Sequence, residues 1–416
     1  MKLKFNKLAE NITSLVSLKG AEYILNFILF PYLVRTLGVE RFGAIVFMQG
    51  IVQYGIILVD YGFNLTGPRD IARAIGKEQI GQLFSDIMGS KCILFFMVTL
   101  CSLIGIQVAH YLGYEFDAAL YWSVYLLVLG NLIFPIWFYQ GIQQMRYITV
   151  FNVLARSITV LLVFLFVKKP GDYLLAALFQ SGTLLLAGVF SLFILQKDFS
   201  YVFVKPTAKG IKQAFYDGWH VYLSTIAINI YTTTNTVVLG AMTNNTVVGY
   251  FGTANKLIDC IKGVMFTFNQ AVYPYVSNKL REGKEKTLQF LKKYSMLYCG
   301  GSFVGGILLL GIAPIIIQIL FGKGYNESVF ILRLMAFLPF IISISNVFGI
   351  QIMLNFGYQK IFSRILVMAA IFDLLLVFPM VNLLSGVGVA LTMILVEAFV
   401  TICTTFYVIK IKKVFE

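Results

Sequence analysis

The side chains that could do chemistry in this chain are charged groups set inside apolar runs. Lys19 and Glu22 stand three residues apart, with Asn26 one turn on, so all three share a helical face. Lys256, Asp259 and Lys262 repeat that spacing as a basic–acidic–basic ladder, preceded by Asn255. Asn152 and Arg156 share another face, while Lys91, Asp373 and Glu397 each stand in a different run. A charge at the centre of a bilayer costs at least ~2.5–3.5 kcal/mol on insertion scales, so such groups face one another or water. Two arrangements meet that demand. Lys19–Glu22 and Asp259–Lys262 can be structural pairs, or the charges can line a wet cavity. In the first half Lys19, Lys91 and Arg156 face only Glu22; the second half sets Asp259, Asp373 and Glu397 against Lys256 and Lys262. A cationic wall of Lys19, Lys91, Arg156, Lys256 and Lys262 suits a phosphate or an acidic sugar. The carboxylates Glu22, Asp259, Asp373 and Glu397 suit a coupling ion, H+ or Na+, because a buried carboxylate sheds its charge by taking up a proton or cation. Arg69 and Arg73, four residues apart behind Pro68, project together and could clamp a diphosphate; ordinary basic loop charge is the plainer account of them.

The elements that must hold these groups are transmembrane helices. A span takes ~20 apolar residues at 1.5 Å rise. Twelve candidate spans fall near 12–36, 41–63, 84–111, 117–139, 148–167, 171–195, 219–240, 246–275, 293–320, 328–355, 361–383 and 386–409. Pro31, Pro135, Pro274, Pro314, Pro339 and Pro379 lie inside them, where each removes one helix hydrogen bond. Connecting segments alternate in charge. The basic set includes Lys2/Lys4/Lys7, Arg69/Arg73/Lys77, Arg146, Lys197/Lys205/Lys209/Lys212, the 279–293 lysines, Lys360/Arg364 and Lys410/Lys412/Lys413. The other set, with Arg35/Arg41, Glu115/Asp117, Lys168/Lys169, Lys323 and a turn near Ser385, is less basic. The positive-inside rule then puts both termini in the cytoplasm. Tyr111, Tyr114, Tyr121, Trp122, Trp137 and Tyr139 bracket the third and fourth spans as interfacial belts do. The fold expected is all-α and polytopic, with a six-helix bundle over 1–196, a cytoplasmic linker over 197–218 and a second bundle over 219–416. Ala208–Tyr216 in the linker reads as a short amphipathic helix on the membrane surface. Similar polar turns at Leu37–Gly43 and Thr243–Gly249 open the second span of each half, as a parallel repeat would.

Composition agrees. Of 416 residues 59% are hydrophobic and 12% charged, against about 25% charged in soluble domains. The net charge of +14 comes from basic residues scattered between apolar runs, which argues against nucleic acid as a partner. Cys92, Cys101, Cys260, Cys299 and Cys403 form no CxxC, and His110 and His220 lie far apart, so neither a metal cofactor nor a disulfide framework is expected. No G-x-x-x-x-G-K-[ST] is present for an ATPase, and no Ser/His/Asp set can be assembled for hydrolysis.

Pro31–Gly43, Tyr61–Thr66, Gly130–Trp137, Gln140–Gly141, Gln270–Pro274 and Ser343–Leu354 together resemble Wzx-type O-antigen flippases in order and spacing. The resemblance runs from about residue 10 to 410. That family lies in the multidrug/oligosaccharidyl-lipid/polysaccharide exporter superfamily. The resemblance implies a MATE-like pair of six-helix bundles around a central cavity. It implies translocation of an undecaprenyl-diphosphate-linked O-antigen repeat unit from the cytoplasmic to the periplasmic leaflet of the bacterial inner membrane. Ion coupling, a cargo of lipid-linked oligosaccharide, surrounding membrane lipids, and contact with an O-antigen polymerase and chain-length regulator belong to the same expectation. A drug/cation antiporter of the same architecture would want an acidic, aromatic cavity, which the cationic surplus disfavours; a capsule or exopolysaccharide exporter is a further alternative. An O-antigen polymerase, ligase or glycosyltransferase should show a sizeable external loop or a nucleotide-sugar domain, and neither is present.

Overall fold

A computed structural model describes residues 2–410; the side chains of residues 2–23, 220, 224, 225, 227, 228, 230–232, 270, 271, 274, 278, 281 and 282 lie outside the described set. The described residues are helical and include no strand. Among them eight stretches are long and apolar enough to cross a membrane, and the chain is a multi-span membrane protein. Large apolar side chains such as Phe96, Leu165, Phe193, Leu308, Ile319, Leu375 and Phe406 stand exposed, as a surface solvated by lipid allows.

Local chemistry sets the helix ends. α1 (Lys2–Asp60) is broken at Gly38, whose φ of 77° and ψ of 168° suit a residue without Cβ. The break falls where the sequence places the turn between its first two spans. Tyr61 and Gly62, with φ of 41° and 81°, end α1 and turn the chain into α2 (Phe63–Arg73). α3 covers Gly76–Tyr111. α4 (Ala118–Ile133) starts at Asp117, whose carboxylate accepts the Leu120 N–H at 2.9 Å. Pro135 interrupts the helix before α5 (Ile136–Gly141), because the residue ahead of a proline is pushed out of the helical region. α6 (Met145–Phe166), α7 (Tyr173–Asp198) and α8 (Ala208–Met242) follow. Asn244 caps α9 (Asn245–Glu282) by accepting the Val247 N–H at 3.1 Å. α10 (Lys284–Phe321), α11 (Asn326–Leu334) and α12 (Leu338–Ser345) lead into a π-helix over Asn346–Leu354, and α13 (Gln359–Lys410) is broken at Ser385.

The chain forms two compact units, Met1–Ile226 and Ala227–Glu416. The boundary falls inside α8, so the short surface helix expected at 208–216 is the opening of a single 35-residue helix. The linker ahead of it belongs with the first unit: Phe199, Tyr201, Val202, Ala214 and Phe215 pack on that unit's core.

In the first unit α4 lies against α7 through two glycines. A Cβ on Gly130 would meet the Leu185 nitrogen at 2.6 Å, and one on Gly188 would meet Ile133 at 2.9 Å. Small residues at such crossings let helix backbones approach closely in lipid. Trp137 and Tyr139 correct the belt reading. Both are fully buried, Trp137 against Phe84 and Tyr139 against Phe151, with the Tyr139 hydroxyl 2.9 Å from Ser191 Oγ. The Pro135 break directs α5 onto α2, which carries these rings inward. Tyr111 and Tyr114 stand exposed, as belt residues do.

In the second unit α9 packs against α10, α11 and α13, and the π-helix against α13. The Gln351 side chain, fully buried, donates from Nε2 to the Asn269 carbonyl oxygen at 3.2 Å and to its Oδ1 at 3.1 Å. Asn269 in turn stands 2.6 Å from the Tyr298 hydroxyl. A wide π-turn and a buried amide hub therefore occupy the Ser343–Leu354 motif.

Candidate functional site

The charged groups fall into five local settings. In the first unit, Lys91 on α3 is 1% exposed, and its Nζ lies 3.0 Å from Oδ1 of Asp60 at the end of α1. The same ammonium donates to the backbone oxygen and Oδ1 of Asn131 on α4, each at 3.2 Å. Asn131 Nδ2 donates to the other Asp60 oxygen at 3.4 Å. All three ammonium protons thus have acceptors and the charge is cancelled. Asp60 is absent from the sequence count of first-half anions, so the cationic surplus there is smaller by one, and Lys91 is a paired core group and not a bare wall cation. A signal existed: Asp60 closes the second span and Lys91 opens the third, which places both near the same membrane face.

α2 presents Arg69 and Arg73 on its exposed side. Arg69 forms a two-pronged ion pair with Asp70, at 2.7 and 3.2 Å, and Asp217 adds negative charge nearby. Exposed pairs of this kind contribute ~0–1 kcal/mol, so a phosphate can compete for the guanidinium. Arg156 is half-buried on α6. The Lys19 and Glu22 side chains lie outside the described residues.

In the second unit the ladder on α9 is brought together with Glu397 on α13. Lys262 Nζ lies 3.5 Å from Asp259 Oδ1, Asn255 Nδ2 donates to Asp259 Oδ2 at 3.0 Å, and Glu397 feels the charge of Lys262. Lys262 is thus paired with Asp259 and acts on Glu397 through its charge. Lys256 is exposed on the same helix and forms no ion pair among the described residues.

Asp373 sits apart. It is fully buried on α13, and its Oδ1 accepts from Asn235 Nδ2 on α8 at 2.9 Å. Its Oδ2 has no hydrogen-bond partner among the described residues. A carboxylate held in apolar surroundings by one amide is costly unless a proton or a cation completes it. Asn235 went unread in sequence because one uncharged amide in a Thr/Asn-rich run carries no signal until the helices are packed. Among the described residues no group of three or more His, Cys, Asp or Glu could hold a metal.

These features define a polytopic helical membrane protein with charged groups set within the helices of each unit. A family profile described as "Polysaccharide biosynthesis protein" matches residues 8–279, and the chain belongs to that family. A protein of Escherichia coli (strain K12) named "Putative O-antigen transporter" is 38% identical over 403 residues, covering 95% of this chain and 96% of the relative. A Shigella dysenteriae protein of the same name is 31% identical over 400 residues, covering 94% and 98%. Among solved structures, an inward-facing MATE-family multidrug resistance transporter of the MOP superfamily matches with a TM-score of 0.75 at 16% identity, over 94% of both chains. The lipid II flippase MurJ in an inward closed conformation matches with a TM-score of 0.70 at 14% identity, over 94% of this chain and 87% of that one. At such identities the likeness is one of fold.

Proposed function

We propose that this protein is a flippase for lipid-linked oligosaccharide, translocating undecaprenyl-diphosphate-linked O-antigen repeat units across the bacterial inner membrane. The observation that carries the reading is the near-full-length relationship to two proteins named as O-antigen transporters. It is a transporter and not an enzyme on this reading. On this reading the chain has twelve spans, counted by dividing the two broken stretches at Gly38 and Ser385 and adding α8 and α9, and the bias of its basic loops sets both termini in the cytoplasm. The sugar and diphosphate cannot cross hydrocarbon unaided, while a polyprenyl tail can remain in lipid. Arg69 and Arg73 receive the diphosphate at the cytoplasmic face. Arg156, Lys256 and Lys262 attract the anionic cargo. Lys91 serves these groups by holding α1, α3 and α4 together. Asp373 takes the coupling proton or Na+, and Asp259 and Glu397 tune Lys262. The likeness to a multidrug transporter is one of fold and supports no drug cargo.

The test is a deletion strain. Single-repeat lipid intermediate should accumulate on the inner leaflet and surface O-antigen should be lost, both restored by the intact gene. Normal surface O-antigen after deletion, with a changed drug susceptibility instead, would replace this reading with the antiporter.

A further inference from the structure

We propose that the end of the first unit carrying the Gly38 break is a binding site for a phosphate-bearing lipid headgroup, built from Arg41, Lys168 and Lys169. The segment between α6 and α7 is fastened there to both flanks of the break. The Tyr32 hydroxyl donates to the Val167 carbonyl oxygen at 2.7 Å, beside Lys168. On the other flank the Arg41 guanidinium lies 4.6 Å from the centre of the Tyr173 ring. Arg35, one turn beyond Tyr32 on the same face, adds a fourth cation to this end. All four side chains are exposed.

Of the four acids at this end, Asp172 and Asp117 hold backbone or hydroxyl donors, while Glu40 and Glu115 stand exposed. Asp172 accepts the backbone N–H groups of Lys168 and Lys169 at 2.9 and 3.1 Å. Asp117 accepts the Leu120 N–H and the Tyr173 O–H, each at 2.9 Å. Among the described residues no carboxylate forms an ion pair with Arg41, Lys168 or Lys169. The Lys168 ammonium gives one proton to the Phe164 carbonyl oxygen and keeps two for an anion. Arg41 is set in place beforehand, because the ring beneath it is tethered through its hydroxyl to Asp117. An arginine fork and two ammonium groups at the membrane rim match a phosphate oxygen cluster and not a neutral sugar. Arg35, Arg41, Lys168 and Lys169 are matched in number by Glu40, Glu115, Asp117 and Asp172, so an anion is drawn here by the placement of Arg41 and the two lysines and not by net charge. The phosphate has two sources: the diphosphate of the cargo as it leaves, which rests on the flippase reading, or an anionic phospholipid of the surrounding leaflet, which does not.

The test uses the full chain in nanodiscs. In zwitterionic lipid, inorganic pyrophosphate should bind, and Lys168→Gln/Lys169→Gln should weaken it by roughly 10- to 100-fold, while Lys168→Arg/Lys169→Arg retains it. In a second arm, discs are assembled from mixed phosphatidylcholine and phosphatidylglycerol and the retained lipid is counted. Enrichment of phosphatidylglycerol around the wild type over the Gln variant assigns the phospholipid. Pyrophosphate affinity without enrichment assigns the cargo diphosphate. Equal pyrophosphate affinity in wild type and Gln variant, with no enrichment in either, overturns the site. The variants change exposed side chains, and an unaltered melting temperature separates lost binding from lost fold. Loss of the site with O-antigen export intact leaves the transport reading standing; binding in a protein whose deletion spares O-antigen would do the reverse.

Discussion

Asp60 Oδ1 lies 3.0 Å from the Nζ of a lysine, Lys91, that is 1% exposed. Removing one member of a buried pair strands the other, at a cost of about 3–5 kcal/mol, whereas replacing both with apolar or neutral isosteres is close to neutral. Lys91→Ala should therefore lower stability strongly, and Asp60→Asn/Lys91→Met should recover most of the loss. Thermal unfolding in detergent, followed by size-exclusion fluorescence, checks this. A stable double variant that still displays O-antigen makes Lys91 structural; one that is stable but inert would return it to the cargo route.

Asp373→Asn keeps an acceptor for Asn235 and deletes the charge. The protein should reach normal levels, while surface O-antigen falls by about an order of magnitude or more, as the proposed ion-coupling role of Asp373 requires. Immunoblots of protein and of O-antigen from the same cells read both quantities. Full O-antigen display in this variant would remove Asp373 from coupling.

Charge reversal distinguishes the basic groups. Lys256→Glu or Arg156→Glu should abolish surface O-antigen with protein level intact. Lys262→Glu should also reduce the protein level, because it would set a second carboxylate beside Asp259 and remove the positive charge that Glu397 feels. Equal behaviour of the Lys256 and Lys262 variants would dissolve the distinction between an exposed cation and a paired one.

The turn between α1 and α2 admits little change. A Cβ on Gly62, whose φ is +81°, would meet Val221 at 2.8 Å, and one on Gly218 would meet the Tyr61 ring at 3.0 Å. Gly62→Val joins backbone strain of about 1–3 kcal/mol to that clash. Gly62→Ala should be the milder change, and unfolding temperatures should fall in that order.

Much of the framework was legible in the amino-acid order. The turns at Gly38, Asn244 and Ser385 sit where charge alternation and apolar run length placed them, because glycine, helix-capping and polar residues interrupt helices by local rules. The local pairing of Asp259 with Lys262 followed from three-residue spacing. What escaped was non-local. Asp60 meets Lys91 across 31 positions and Asn235 meets Asp373 across 138, and no local period encodes either. Trp137 and Tyr139 resembled belt residues because they lie at a span's end; only the Pro135 break shows that the chain there turns into the core.

The stretch from Ser200 to Gly210 has a consequence beyond packing. Ser85 Oγ donates to the Val202 carbonyl oxygen at 2.8 Å, Gln82 Nε2 donates to that of Lys205 at 3.2 Å, and Asp86 accepts the Thr207 N–H at 2.6 Å. α3 therefore moors this stretch at successive turns, and a Cβ on Gly81 would run into the Tyr201 carbonyl oxygen. What looks in the sequence like slack rope between two halves is a lashed spar. Trypsin should find Lys205 a poor target in the native protein, and extra residues spliced in here should loosen the root of α8 instead of merely lengthening a leash.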